Sequence, residues 1–185
     1  MLQKNLIVLL LLAINLIVSI LYLFIINNDK LKNGFYRLPV VIQKLYVVLF
    51  VGPLFISPFI QQTKFNFEFL AIYIVGIMFS FIGLTFILLS FVKIGMIPSI
   101  RSKSGLSTTG IYKIIRHPIY SGTIILFLGL ILTRMPVIPT LYLPISVSLY
   151  FCMTLFEEID LIKIYGDEYL DYKKKVKKRI IPYIL

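Results

Sequence analysis

Three observations predict an all-α, polytopic integral membrane protein with about five transmembrane helices. The chain of 185 residues is 59% hydrophobic with a mean hydropathy of +0.94, too apolar for a water-soluble globule with a polar exterior. Several apolar runs approach or exceed the roughly 20 residues a helix needs to cross a bilayer. The charge, 19 Lys and Arg against 8 Asp and Glu for a net +11, gathers in a few inter-helix segments and the tail. Positive-inside topology and anionic headgroups account for that pattern, so no nucleic-acid partner is expected despite the basic balance. One Cys and one His exclude a disulfide framework within the chain and leave no ligand set for a protein-only metal site. The length is that of a single membrane domain, residues 1–185: three spans in 1–97, then a half, 98–185, that holds the candidate chemistry.

Residues 5–26 are almost unbroken hydrocarbon. That core is too long for a signal peptide, and no small-residue cleavage site follows. Asn15 is its one strongly polar interruption and is suited to an interhelical hydrogen bond of about 1 kcal/mol. Residues 27–37 read as a loop carrying Lys30, Lys32 and Arg37. The second span, about 38–60, contains Pro53 and Pro58, which predict a kink or early unwinding. A short loop, 61–66, holds Lys64, and a third span of about 67–97 is longer than one crossing requires. The stretch P-S-I-R-S-K-S-G-L-S-T-T-G is a loop by its Ser, Thr and Gly content, with Arg101 and Lys103 on the basic side.

An apolar hairpin follows, 119–133 and 141–156, joined by R-M-P-V-I-P-T. Each arm is about 15 residues, roughly 22 Å of helix against a hydrocarbon core of about 30 Å. Either the arms extend into their flanks or the hairpin dips in without spanning. Cys152 sits inside the second arm as packing. From Glu157 the chain turns polar, with Gly166 separating two short helical pieces. Tyr169, Tyr172 and Val176 share one face, so the last piece reads as a surface-lying amphipathic helix. The lysine and arginine distribution places the N-terminus outside and the C-terminus in the cytoplasm.

The candidate chemistry centres on G-I-Y-K-I-I-R-H-P-I-Y-S-G, residues 110–122, which holds the one histidine. Proline disfavours helix at the residue before it and suits the first turn of a new one. A short interfacial helix over 111–116 should therefore break at His117, and a membrane helix should start at Pro118. Its free N–H groups beside Arg116 would seat a carboxylate or phosphate. Glu157 and Glu158 end the second arm, where two carboxylates are costly unless solvated or paired. The antiparallel hairpin returns them to Arg116 and His117, so one acid closes a salt bridge and the other is left for a ligand. Tyr112, Tyr120, Tyr165, Tyr169 and Tyr172 gather at the same surface as interfacial belt residues, with some offered to a cation. Gly110 and Gly122 permit close backbone approach. Nucleotide-binding Gly-rich loops, H-E-x-x-H and G-x-S-x-G are absent from the sequence.

At these residues the chain resembles the isoprenylcysteine carboxyl methyltransferase and phospholipid methyltransferase superfamily. The resemblance lies in R-H-P-I-Y (Arg116, His117, Pro118, Ile119, Tyr120), the following hairpin and the pair Glu157 and Glu158. The lead-in T-T-G-I-Y, the later Y-G-D-E-Y-L-D-Y and the closing Arg179 to Pro182 extend it across residues 106–182. It implies an integral membrane methyltransferase using S-adenosyl-L-methionine, with a lipophilic or lipidated acceptor entering from the lipid bilayer and the site at the cytoplasmic surface. Carried over by position, Leu106, Gly110, Tyr112, His117, Pro118, Tyr120, Gly122, Glu158 and Tyr169 would hold the cofactor. Arg116, Glu157, Glu158 and Arg179 would be catalytic, with the arginines nearer the acceptor. The acceptor stays open between a prenylated thiol-acid, a phospholipid amine and another lipophilic molecule. Membrane sterol reductases share a related R-H-P-N-Y pattern, which makes an NADPH-dependent reductase one alternative. A non-catalytic lipid-binding subunit is another.

Overall fold

Hydrophobic length sets the helices, and the computed structural model describes residues 2–66, 69–94 and 105–180. The elements in order are α1 (Leu2–Asn27), α2 (Asp29–Arg37), α3 (Val40–Ile56), α4 (Leu70–Ile94), α5 (Pro118–Arg134), α6 (Val137–Tyr165) and α7 (Asp167–Lys175). Short 3-10 turns cover Ser57–Phe59 and Gly110–Lys113. Helices α1, α3 with its 3-10 turn, α4 and α6 are long and apolar enough to cross a membrane, and α5 is a shorter apolar helix. Their outward side chains are apolar, as at Leu10, Phe24, Phe81 and Val92, while Asn15, Ser19, Ser90 and Thr154 are buried inside. A bilayer favours that arrangement, because no water is available there to satisfy outward polar groups.

At the N-terminal end of the bundle, Asn5 donates to the Thr63 hydroxyl at 3.2 Å. Backbone bonds from Phe65 to Met135 (2.9 Å) and from Val137 to Thr63 (3.0 Å) join the α3–α4 and α5–α6 connections. The opposite end gathers α2, the 3-10 turn Gly110–Lys113, the start of α5, the end of α6 and α7. Midway, the predicted bond of Asn15 is present: its amide donates to the Phe50 carbonyl, and Tyr142 donates to its oxygen at 2.7 Å. Helix α3 carries Pro53 internally and passes into the 3-10 turn at Pro58, as its prolines predict.

Several predicted boundaries shift. The loop over 27–37 is instead the helix α2, because Asn28 caps it with bonds to the N–H groups of Lys30 and Leu31. Asp29 in its first turn and Arg37 in its last complement the helix dipole. The hairpin connection contracts to Met135 in the left-handed region (φ 52°) and Pro136. Pro139 falls in the first turn of α6, where no N–H partner is required. Helix α6 runs through Glu157 and Glu158 to Tyr165, so the second arm extends into both flanks. Gly166, at φ 52° and ψ −126°, separates α6 from α7. Residues 95–97 of the predicted third span, the loop with Arg101 and Lys103, and Pro182 lie outside the described residues.

The two arms pack less extensively on each other than on neighbours, α5 against α4 and α6 against α1. Glycines make the first seam. A Cβ at Gly76 would lie 2.9 Å from the Gly129 carbonyl oxygen, and one at Gly122 would lie 2.7 Å from that of Gly83. Small residues that let backbones touch are the usual basis of helix association in lipid. Helix α4 therefore belongs by packing with the hairpin. Gly83→Val should destabilise the bundle by more than about 2 kcal/mol, since the blocking atoms are backbone of α5. Gly34→Ala, with open space around it, should be neutral or slightly stabilising. Thermal unfolding in detergent micelles measures both.

Candidate active site

The R-H-P corner forms as its proline predicts. His117 is the residue before α5 (φ −121°, ψ 65°) and Pro118 opens the helix. The expected interfacial helix is a 3-10 turn, with Gly110 at φ 64°. The chain after α7 straps this corner. Arg116 N donates to Lys178 O and His117 N to Arg179 O, each at 3.0 Å. Ser121 donates to the Ile180 carbonyl. The backbone N–H groups of Arg116 and His117, which precede α5, are thus already taken.

Arg116 is equally committed. Its guanidinium meets Glu158 Oε1 at 2.8 Å, and its Nη1 donates to the Val176 and Lys177 carbonyls at 2.6 and 2.9 Å. Arg179 Nε reaches the same Glu158 oxygen at 3.0 Å, and Lys173 Nζ reaches the other at 3.0 Å. Glu158 is 2% exposed. A carboxylate buried that deeply is tolerable only with such partners. The Arg116 guanidinium, expected to help seat an anion, is thus paired within the chain, and Glu158 is the acid of the pair that closes the ion cluster.

Glu157 faces a cavity of about 280 Å³. Tyr22 from α1 donates to its Oε1 at 2.9 Å, and Tyr120 donates to the same oxygen at 2.5 Å. His117 Nδ1 lies 3.5 Å from its other oxygen. His117 Nε2 sits 3.4 Å from Glu158, yet it has no hydrogen-bond partner among the described residues. The contact is at ion-pair distance rather than a hydrogen bond. Burial opposes charging the imidazole, but the two carboxylates outweigh burial and raise its pKa above the ordinary value.

Of the sequence-predicted residues, Leu106, Tyr112, Arg116 and His117 line this cavity, as do Pro118, Tyr120, Glu157 and Tyr169. The remaining four do not. Gly122 is spent on the α4 seam, and Gly110 abuts the Lys93 side chain, where a Cβ would lie 3.2 Å from its Cε. Glu158 and Arg179 form the ion cluster, with Arg179 also 5.4 Å over the Phe151 ring. Tyr169, Tyr172 and Val176 do share a face, but it is buried against Leu106, Leu161 and Ile162. That face docks α7 on the protein.

Sequence reasoning missed the opposite wall. Tyr22, Phe35 and Tyr36, with Gln43, Tyr46 and Phe50, come from the first three helices. The available signal was Tyr22, a polar-headed residue one turn from the end of α1, the end that returns to the Glu pair. Ring pairs run from Phe35 to Tyr46 (5.2 Å), Tyr46 to Tyr22 (6.3 Å) and Tyr22 to Phe50 (6.1 Å). They continue through Tyr150 (5.3 Å) to Tyr120 (5.4 Å). The wall and the R-H-P corner thus share one aromatic chain.

Residues 71–168, more than half the chain, match the family model described as Phospholipid methyltransferase. The chain belongs to that family. It is also similar to Methanethiol S-methyltransferase 1 of Bradyrhizobium diazoefficiens, 36% identical over 75 residues, or 38% of this chain and 24% of that protein. The chain thus spans about a quarter of the length of that curated relative. No solved structure matches it. The family match begins in α4 and stops before Tyr169 and Arg179; the three helices that build the aromatic wall lie outside it.

Glu158→Gln should destabilise the protein by about 3–5 kcal/mol, because it leaves buried guanidinium charge uncompensated, and Glu157→Gln by much less. Denaturation in mixed micelles distinguishes the two. Because the folded pKa of His117 is raised, its stabilisation is complete below the unfolded value of 6.5 and is lost as pH climbs through the folded value. The thermal midpoint should fall over that rise, and His117→Gln should flatten that part of the profile.

Proposed function

We propose that this membrane methyltransferase uses S-adenosyl-L-methionine as donor and methylates a lipophilic acceptor within the cavity. The observation that carries the reading is Glu157, a carboxylate held by two tyrosines and aimed into a space lined mostly by aromatic and aliphatic residues. The lining fits the donor: a carboxylate and tyrosine faces suit a sulfonium cation. S-Adenosyl-L-methionine, when bound, supplies an electrophilic methyl group on positively charged sulfur.

Glu157 balances positive charge in the cavity and accepts the proton that an amine or thiol acceptor loses. Tyr22 and Tyr120 fix the orientation of that carboxylate, and His117 steadies its second oxygen. The aromatic walls exclude water, which leaves alignment and desolvation as the main sources of rate. Since Arg116 and Arg179 are both occupied by Glu158, no uncommitted guanidinium among the described residues lines the cavity to meet a carboxylate acceptor. An amine or a thiol is favoured, and the name of the relative, Methanethiol S-methyltransferase 1, adds weight to the thiol. Most of the lysines and arginines lie at the end of the bundle that holds the cavity, including the run after Tyr172. This supports a cytoplasmic site and an external N-terminus.

Calorimetry on the purified protein should show S-adenosylhomocysteine binding in the micromolar range and no heat with NADPH. Glu157→Gln and His117→Ala should each weaken it about tenfold or more, in line with loss of a charge-assisted contact. Tyr22→Phe should lower the methyl-transfer rate about tenfold while S-adenosylhomocysteine affinity changes little. A signal with NADPH alone would reassign the chain to the reductases, and silence with both ligands would indicate a non-catalytic subunit.

A further inference from the structure

Helix α2 presents Phe35 and Tyr36 to the cavity, and its apolar attachment to the bundle includes the edge-on contact of Phe35 with Tyr46 of α3. Its one buried residue is a lysine, Lys32. Lys32 Nζ meets Asp160 Oδ2 of α6 at 2.7 Å and Asp29 Oδ1 of its own helix at 2.8 Å. Asp160 is 3% exposed and stands one helical turn beyond Glu157, on the same side of α6. The other end of α2 is held by Gln43, whose amide donates to the Leu38 carbonyl at 2.8 Å and the Tyr36 carbonyl at 3.4 Å. A buried ion pair between the first and second halves of the chain thus ties this cavity wall to the same helix that carries Glu157.

We propose that α2 is the acceptor-selecting wall, with Phe35 and Tyr36 as specificity-determining residues for the acceptor's apolar chain and Lys32 as the residue that positions them. The proposal rests on the methyltransferase reading above. The chemistry beside α2 is aromatic and aliphatic, with no acid or base beyond tyrosine hydroxyls and the Gln43 amide. That suits hydrocarbon, while the charged lining groups, Arg116, His117 and Glu157, come from the start of α5 and from α6. Wall and carboxylate answer to one helix, so a shift of α2 changes where an acceptor's chain lies relative to the reacting position.

The test uses the full-length protein in lipid nanodiscs with S-adenosyl-L-methionine and two probe series, straight-chain alkanethiols from methanethiol to decanethiol and the matching alkyldimethylamines. Phe35→Ala should move the preference toward longer chains, changing the ratio of kcat/KM between long and short homologues about tenfold. Lys32→Met and Asp160→Asn should raise the acceptor KM about tenfold with kcat and S-adenosylhomocysteine affinity within about twofold, and Lys32→Arg should restore it. Unchanged chain-length preference in Phe35→Ala would overturn the proposal. So would Lys32→Met losing cofactor affinity and acceptor turnover in parallel, which is what a purely structural pair produces. Turnover of neither series by a wild type that binds S-adenosylhomocysteine would overturn the hydrocarbon assignment alone. Absence of S-adenosylhomocysteine binding would remove the underlying methyltransferase reading and this proposal with it.

Discussion

A buried carboxylate, Glu158, holds this protein's working end together. Arg116 from the corner before α5, Arg179 from the tail and Lys173 from α7 all converge on it. Burying that many charges is favourable only because each has a partner and the remaining lone pairs are used. Neighbouring backbone follows the same centre: the Arg116 guanidinium also takes two carbonyls of the tail, and the tail takes the N–H groups of Arg116 and His117. The cluster thus clamps the start of α5, the end of α6 and the strap after α7 at one end of the bundle.

That commitment explains what its neighbour is free to do. Adjacent residues on a helix point about 100° apart, so Glu157 looks away from the cluster into the cavity while sharing its rigidity. Its partners are neutral tyrosine hydroxyls and a histidine, and none of them is a guanidinium. One acid closes the ion cluster and the other faces the cavity, and the division comes from which face of α6 each occupies. The aromatic chain from Phe35 to Tyr120 then links the first half of the protein to that chemistry through packed rings.

Much of this was legible in the sequence. The spans followed from hydrocarbon length, the Asn15 bond from the cost of a lone amide in lipid, and the break at His117 from Pro118. The return of the Glu157 and Glu158 pair to Arg116 and His117 followed from the antiparallel hairpin. Other features depend on tertiary geometry that periodicity does not encode. Which glutamate faces inward depends on the rotation of α6. The occupation of Arg116 depends on a tail strap with no pattern of its own. Gly122 was open to two readings because a glycine beside a ligand and a glycine beside a helix look alike in sequence; Gly83 decides it. Helix α2 was read as a loop for want of an apolar stripe, and its capping residues Asn28 and Asp29 were the missed signal. The wall formed by Tyr22, Tyr36 and Tyr46 was invisible because it is assembled from three separate helices.

The most direct measurement is an experimental structure of the protein in lipid with S-adenosylhomocysteine bound. The account predicts the ligand against Glu157 and His117, with Arg116 and Arg179 still on Glu158. A ligand seated on Glu158, with either arginine drawn away to meet it, would contradict the division between the two acids.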